Sequence, residues 1–181
     1  MERYSPNDVS RLEGRGVFFD ANVLIFLYGG GNPEGYQQSV YSRIFSELVK
    51  MKNSLHVDYI VISEFVNRLF RIGYKSYLDF NGLDEKRFSF KEYRATPEAN
   101  TCISGIYSTV ENDILKHFRV IGKAFTKEDI TGFLEVDNLD FSDKAIEMIC
   151  RENRFVLLTD DADFAKSEID ILSANGNIVS Q

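Results

Sequence analysis

The sequence predicts an α/β fold, in which helices cover both faces of a short and mostly parallel central sheet. Short apolar segments of strand length alternate with longer segments whose apolar residues recur at helical spacing, a pattern typical of strand–helix–strand units. Phe155 to Leu158 is a continuous apolar run, as expected for a parallel strand buried on both faces. With 181 residues, of which 44% are hydrophobic, the chain is long enough for one domain with a substantial core.

The individual elements follow from apolar spacing and from residues that start or stop helices. Strands are predicted at Gly16 to Phe19, Leu55 to Val57, Val120 to Ile121, Phe155 to Leu158 and Ile169 to Leu172. Helices are predicted at Asn22 to Tyr28, at Gln37 to Met51, from an Asp58 cap through Phe70, at Ile103 to Phe118, after a Thr126–Asp129 capping box, and from a Ser142 cap to Asn153. The run Gly29 to Pro33 should end the first helix, and residues 1–15 should form a flexible N-terminal lead-in.

Composition excludes several classes of protein. The run from Val23 to Tyr28 is only six residues long, whereas a membrane span needs about 20 apolar residues, so we expect no membrane partner. Cys102 and Cys150 are the two cysteines, too few for a disulfide framework, so we expect a cytoplasmic protein. The net charge of −7 argues against a protein that coats duplex DNA, but it allows an enzyme with clustered carboxylates and a local basic strip.

Acidic residues follow two of the predicted strands. Asp20 ends the first strand, and Thr159 to Asp163, which includes Asp160 and Asp161, follows the strand at Phe155 to Leu158. Ligands of open α/β sheets collect beyond the carboxyl ends of strands, and clustered carboxylates repel one another unless they are protonated or bound to a cation. The simpler alternatives are that Asp20 only caps the next helix and that the second segment is a solvated turn.

Two further carboxylates lie on predicted helices. Glu64 is opposite the apolar face of its helix, where a surface ion pair with Arg68 would also explain it. Asp143 lies in the first turn of a helix, where the helix dipole alone favours a negative charge. Asp140 competes with Asp143 for the same role. We prefer Asp143 because its spacing to Thr159 fits better and because Ser142 can cap its helix.

The order of these residues resembles the PIN-domain nucleases, notably the VapC-type toxins of toxin–antitoxin pairs. In that family an aspartate follows the first strand, a glutamate lies on an early helix, an aspartate begins a late helix, and a fourth acid stands in a Thr-x-Asp turn. The matching residues are Asp20, Glu64, Asp143 and Asp161, with Asp163 as an additional metal ligand and Asn22 and Thr159 as supporting residues. The resemblance covers about residues 16–172, and it implies a single PIN-like α/β/α sandwich over 16–181 with a helical and loop insertion at about 73–135.

The resemblance also implies an activity. PIN-like proteins hydrolyse RNA phosphodiester bonds with Mg²⁺ or Mn²⁺, leaving a 5′-phosphate and a 3′-hydroxyl. Asp20, Asp143 and Asp161 would hold the ions, and Glu64 would orient water or complete the shell of a second ion. The family further implies an antitoxin partner that covers the acidic groove, and a homodimer.

Residues 68–94 provide a candidate path for the RNA. Basic residues alternate there with Tyr74, Tyr77, Phe88, Phe90 and Tyr93, which suits single-stranded RNA; the alternative is a solvated face over core aromatics. Two other functions stay open. One is a non-catalytic PIN-like module for RNA binding or scaffolding, and the other is a phosphatase resembling the haloacid-dehalogenase group, which expects a second aspartate where Asn22 stands.

Overall fold

A computed structural model describes residues 1–30 and 35–179, and it confirms the α/β fold, consistent with a PIN-like α/β/α sandwich. The strands are β1 (Arg3–Tyr4), β2 (Gly16–Phe19), β3 (Ser54–Asp58), β4 (Arg119–Ile121), β5 (Val156–Leu158) and β6 (Asp170–Leu172). Within the described residues they form one sheet in the order β1-β6-β5-β2-β3-β4, and every neighbouring pair is parallel. The predicted strands therefore all exist, and the sheet is wholly rather than mostly parallel.

The helices connect the strands as crossover segments. They are α1 (Ala21–Tyr28), α2 (Tyr36–Lys50), α3 (Tyr59–Asn81), α4 (Phe90–Tyr93), α5 (Pro97–Thr109), α6 (Leu115–His117), α7 (Lys127–Gly132), α8 (Phe141–Asn153) and α9 (Gly176–Val179). A π-helical segment at Val110–Ile114 joins α5 to α6, and short 3₁₀ helices lie at Val9–Leu12 and Ala162–Lys166. The part of the predicted 29–33 turn beyond Gly30 lies outside the described residues. None of the described helices has the length and apolar character needed to cross a membrane.

The direction of winding reverses between β2 and β5. From β2 the chain proceeds to β3 and β4 on one side, and it later returns to place β5 and β6 on the other side. Phe19 pairs with Leu158 in the β2–β5 register, so Asp20 and Thr159 leave the sheet side by side. In open α/β sheets such a reversal leaves a crevice at the carboxyl ends of the strands, where ligands bind.

The core lies on both faces of the central strands. Residues 17–19 of β2 and all of β5 are fully buried, which explains their continuous apolar sequences. The ring of Phe19 meets Phe118 edge to face, with the ring centroids 4.8 Å apart. This packing fixes the end of β2, and thus the position of the residue that follows it.

Two of the three predicted helix caps are confirmed. The Asp58 carboxylate accepts the Val61 N–H at 2.8 Å, and Thr126 and Asp129 form both hydrogen bonds of a capping box. The prediction that Ser142 caps α8 is wrong, because the carboxylate of Asp140 accepts the Asp143 N–H at 3.0 Å instead. The same Asp140 oxygen also accepts the Ser142 hydroxyl at 2.8 Å, so the Ser142 side chain donates to the cap residue instead of capping the helix itself.

Residues 1–15 differ from the flexible lead-in that we expected. β1 extends the sheet beside β6, Tyr4 is buried, and Val9 and Leu12 belong to the main core. The guanidinium of Arg3 donates hydrogen bonds to the backbone oxygens of Ile169, Ala165 and Ser167. The polar composition hid this role because only three widely spaced residues of the segment are buried, namely Tyr4, Val9 and Leu12.

The segment predicted as an insertion at about 73–135 is only partly separate. It supplies β4 to the sheet, and Ile106, Ile114 and Phe118 join the main core. Around α4, a second small cluster packs against the C-terminal half of α3; its buried members are Tyr74, Leu78, Tyr93 and Ala99. Of the predicted insertion, only this small cluster forms a core of its own beside the main one.

Candidate active site

Asp20 lies at the carboxyl end of β2 and is held by three hydrogen bonds. Its Oδ1 accepts the Ala21 N–H at 2.6 Å, and its Oδ2 accepts from Asn22 Nδ2 at 2.7 Å and from Thr159 Oγ1 at 2.6 Å. The residue is only 5% exposed. Asp20 therefore does cap α1, as the simpler alternative held, and it is also a buried carboxylate at the crevice between β2 and β5.

The turn after β5 is tied to the same residues. Asn22 Oδ1 accepts the Asp160 N–H at 3.2 Å, and the Thr159 hydroxyl accepts the Asp161 N–H at 3.0 Å. The carboxylate of Asp160 accepts the Tyr41 hydroxyl at 2.6 Å, so this aspartate is occupied in holding the turn. Asn22 and Thr159 thus link the ends of β2 and β5.

Asp161 and Asp163 have different surroundings, although they are two residues apart. Asp161 caps the 3₁₀ helix at Ala162–Lys166 by accepting the Asp163 N–H at 3.0 Å, and it acts electrostatically on Asp20. Asp163 is exposed and lines a separate cleft with Glu135 and Asp137. The structure does not bring Asp163 into the group that contains Asp20.

Asp143 faces the other carboxylates from the first turn of α8. Its charge interacts with those of Asp140, Asp20, Asp161 and Glu64. The adjacent Lys144 does not neutralise it, because the Lys144 ammonium forms an ion pair with Asp137 at 3.0 Å. Asp140 itself caps α8, so the expected Ser142 cap no longer favours Asp143 over Asp140. The preference for Asp143 now rests on its spacing to Thr159 and on its interactions with Asp20, Asp161 and Glu64.

Glu64 forms the expected surface ion pair and also acts electrostatically on two of the other carboxylates. Its Oε1 pairs with Arg68 at 3.1 Å, which is the i,i+4 surface pair proposed as the simpler explanation. Its charge also acts on Asp20 and on Asp143, although it comes from a different element. Four segments that are distant in sequence therefore contribute to one acidic region, which consists of Asp20, Glu64, Asp143 and Asp161.

Two carboxylates of this region, Asp20 and Asp143, hold protons more tightly than isolated ones do. The pKa of Asp20 is raised to about 6, mainly by burial and also by the charges of Glu64 and Asp161, while the hydrogen bond from Thr159 opposes the rise. The pKa of Asp143 is raised to about 7, by burial and then by the charges of the neighbouring acids. Two acids with pKa values this far above normal are typical of functional sites.

The donor set fits a hard divalent cation by its chemistry. Among residues 1–30 and 35–179, no three His, Cys, Asp or Glu side chains are grouped so that they could hold a metal ion as they stand. Carboxylate oxygens are nevertheless the ligands that Mg²⁺ and Mn²⁺ prefer. A cation among Asp20, Asp143, Asp161 and Glu64 would also offset the repulsion that contributes to both raised pKa values.

An open groove of about 720 Å³ runs along the outer face of α3 and reaches the acidic region; we call it the α3 groove. Its lining includes Tyr59, Glu64, Arg68, Arg71, Lys75 and Asp140. Of the seven basic residues in the strip expected at residues 68–94, three line this groove, namely Arg68, Arg71 and Lys75. The other four are not among its lining residues; they are Lys86, Arg87, Lys91 and Arg94.

The aromatic half of that strip faces inward. Tyr74 and Tyr93 are buried, and Tyr77, Phe88 and Phe90 pack around them with ring centroids 5.2–5.7 Å apart. The expectation that these rings stack on RNA bases is wrong, because they form the small core between α3 and α4.

Two features of the site were missed in the sequence. Tyr59 is 79% exposed at the mouth of the α3 groove, and an aromatic residue next to a helix cap gives no signal of its own. The role of Asp140 as the α8 cap had a signal, since Asp140 and Asp143 have the spacing of a capping box.

No protein-family model and no curated protein sequence matches this chain.

Proposed function

We propose that this protein is an endoribonuclease dependent on Mg²⁺ or Mn²⁺, with Asp20, Glu64, Asp143 and Asp161 as its catalytic residues. The observation that carries the proposal is the position of Asp20 beside the Thr159–Asp161 turn at the reversal between β2 and β5, near enough to Glu64 and Asp143 for charges among these acids to raise the pKa values of Asp20 and Asp143. The likeness of their order to the PIN-domain nucleases supports the same activity. A bound divalent ion would supply an activated water and charge stabilisation for phosphodiester hydrolysis.

The residues of the chain have distinct tasks in this proposal. Asn22, Thr159 and the Ala21 N–H hold the Asp20 carboxylate in one orientation, so that it needs little reorganisation to act as a ligand. Asp161, which follows β5, and Asp143, on α8, would supply carboxylate oxygens as metal ligands. Glu64 lines the α3 groove at the end next to them. The scissile phosphate would enter from that groove.

One observation disfavours a phosphatase of the haloacid-dehalogenase kind. Such an enzyme needs an acid two residues after its first aspartate, and that position holds Asn22. The Asn22 side chain donates to Asp20 and accepts from the Asp160 N–H, so it has a structural task and no proton to donate as an acid.

The biological setting follows from the resemblance alone. We propose that the protein is a cytoplasmic toxin of a toxin–antitoxin pair, that it forms a homodimer, and that an antitoxin covers its acidic groove. A short reading frame beside the gene that encodes a DNA-binding protein would support this setting. Co-purification of the two products would test it.

The activity is tested with purified protein and unstructured single-stranded RNA, in Mn²⁺ and in EDTA. We expect cleavage only with Mn²⁺, and a loss of at least about 100-fold in Asp20→Asn and in Asp143→Asn, because each replaces a negatively charged carboxylate with a neutral amide. Asp79→Asn, an equal change of charge at the exposed end of α3, is the matched control and should cleave normally.

Two results would contradict the proposal. Cleavage that is equal in Asp20→Asn, Asp143→Asn and the wild-type protein would assign the activity to another site or to a contaminant. Release of phosphate from a small phosphate ester, without cleavage of RNA, would favour the phosphatase instead.

A further inference from the structure

We propose that the α3 groove binds single-stranded RNA, with Tyr59 stacking on a base and Arg68, Arg71 and Lys75 contacting consecutive phosphates. The inference rests on the proposed function, because it assigns the path by which that site receives its substrate. It differs from the sequence expectation in its aromatic residue, which is the exposed Tyr59 rather than the buried rings around α4.

Charge along the groove is graded from acidic to basic. Glu64 and Asp140 line it at the end next to the carboxylates, whereas Arg71 and Lys75 lie two and three turns further along α3. Within the described part of the chain, neither Arg71 nor Lys75 has a carboxylate partner within ion-pair distance, while Arg68 is paired with Glu64. On a protein with a net charge of −7, a polyanion would be drawn to this local basic face rather than to the surface as a whole.

Arg71 is held in position for such a contact. Its guanidinium carbon lies 3.9 Å from the centroid of the Phe90 ring, a cation–π contact that limits its freedom while its N–H groups stay available. The small aromatic cluster around α4 therefore supports the groove from behind instead of stacking on bases.

Tyr59 provides a flat, exposed surface at the mouth of the groove. It is the first residue of α3, directly after the Asp58 cap, and its backbone is fixed because Asp58 accepts the Val61 N–H. Its side chain is 79% exposed, and of the exposed aromatic residues in the described part of the chain it is the one that lines the α3 groove. Base stacking on such a ring tolerates any sequence and needs an unpaired base, which favours single strands over duplexes.

The length of the groove sets the size of the footprint. Tyr59 and Lys75 are sixteen residues apart on one helix, which corresponds to about 24 Å, or at most about seven stacked nucleotides. Three basic residues predict a salt dependence with a slope of about −2 in log affinity against log salt for a single strand.

Binding without cleavage tests the inference. Wild-type protein in EDTA is titrated into a labelled oligouridine of about twelve nucleotides, and the anisotropy is followed at several KCl concentrations. Tyr59→Ala should weaken binding about tenfold while Tyr59→Phe retains it, because stacking needs the ring and not the hydroxyl. Arg71→Ala/Lys75→Ala should reduce the salt slope by about 1.4, whereas Arg43→Ala/Lys50→Ala, an equal loss of exposed charge on α2, should leave it unchanged.

Folding is checked by thermal unfolding of each variant. Lys75→Ala alone removes an exposed side chain and should still reduce the slope by about 0.7, which keeps the test valid if Arg71→Ala disturbs the Phe90 contact. Unchanged affinity in Tyr59→Ala and in Lys75→Ala would overturn the inference. Equal affinity for a duplex of the same length, or preference for an acidic peptide such as oligoglutamate, would overturn it as well.

The inference and the proposed function fail in different ways. If the groove variants lose RNA binding in EDTA but the wild-type protein cleaves nothing in Mn²⁺, the groove is confirmed and the nuclease activity is not. If RNA is cleaved and the groove variants cleave and bind it normally, the activity stands and the groove assignment falls.

Discussion

At the scale of single residues, the acidic region combines structural and chemical roles in the same side chains. Asp20 caps a helix, accepts three hydrogen bonds and has a raised pKa. Burying a carboxylate beside other carboxylates costs stability, and folded proteins tolerate such an arrangement mainly where function requires it. This cost can be measured.

Asp143→Asn should stabilise the protein at alkaline pH while abolishing its activity. The folded-state pKa of Asp143 is about 7, against about 3.9 in an unfolded chain, so the folded state binds more protons between these values. The contribution of Asp143 to the free energy of unfolding is therefore fully present below about pH 4 and is lost as the pH rises through about 7. Asp20 contributes in the same direction, and its contribution is lost as the pH rises through about 6. Because Asp143 is only partly buried, the expected gain of the variant at pH 8 is on the order of 1 kcal/mol.

Thermal unfolding in EDTA at pH values from 5 to 8 measures this effect. The wild-type melting temperature should decline more steeply across this range than that of Asp143→Asn. Asp79→Asn is the control, since its exposed carboxylate should leave the slope unchanged. Parallel slopes for wild-type protein and Asp143→Asn would show that Asp143 does not carry a raised pKa.

For single residues, the sequence predicted where the acidic side chains lie in the fold better than it predicted what each side chain contacts. Asp20 and Asp161 could be identified because strand ends are readable from apolar runs, and parallel strands bring their ends to one edge. The choice of Asp140 over Ser142 as the α8 cap depended on competition between two good capping residues. The exposure of Tyr59 depends on what packs near the start of α3, which local sequence does not contain.

At the scale of elements, the close approach of α3 and α5 positions the basic face of the groove. A Cβ atom on Gly73 would lie 2.5 Å from the Sγ of Cys102 and 3.3 Å from the Tyr93 hydroxyl oxygen. Gly73 is therefore the residue that lets α5 and the aromatic cluster pack against the middle of α3.

Gly73→Ala should destabilise the protein by about 1–3 kcal/mol, although alanine is the better helix former by about 1 kcal/mol. Gly105→Ala is the matched control, because a Cβ there meets nothing within 4 Å and the change should be neutral or stabilising. Urea denaturation of both variants gives the comparison. Adding Cys102→Ala to Gly73→Ala should recover part of the loss, and a neutral Gly73→Ala would show that the helices are not in such close contact.

The positions of the helices could be predicted from the sequence, but which face of each helix is exposed and which is buried was harder to predict. The apolar spacing correctly indicated helices over α2, α5 and α8, and the long helix after Asp58. The strip of basic and aromatic residues at 68–94 could be divided between surface and core only once α4 was known to fold back on α3. Contacts between elements of this kind have no local signature.

At the scale of the whole molecule, the N-terminal strand closes one edge of the sheet. β1 pairs with β6, and Arg3 binds the backbone around the end of the 3₁₀ helix that follows Asp161. The chain start thus supports the turn that presents Asp161, although the sequence of residues 1–15 predicted a flexible lead-in.

Removing residues 1–5 should destabilise the protein by more than about 2 kcal/mol, because it exposes the β6 edge and deletes the buried Tyr4 ring. Hydrogen exchange should show faster exchange at the amides of Ile171 and Ser173, which donate to the backbone of the deleted residues. Glu13→Ala, which changes an exposed residue of the same segment whose side chain has no hydrogen bond or ion pair within the described residues, is a control that should remain within about 0.5 kcal/mol. Unchanged stability of the truncated protein would instead support the prediction that residues 1–15 form a flexible lead-in.

Uptake of Mn²⁺ by the pure protein tests the central claim most directly, since four separate segments can share a cation only if their carboxylates act together. In titration calorimetry we expect binding by the wild-type protein, at least about tenfold weaker binding by Asp20→Asn and by Asp143→Asn, and unchanged binding by Asp79→Asn. Absence of any Mn²⁺ uptake at millimolar ion, or equal uptake by all four proteins, would contradict the account.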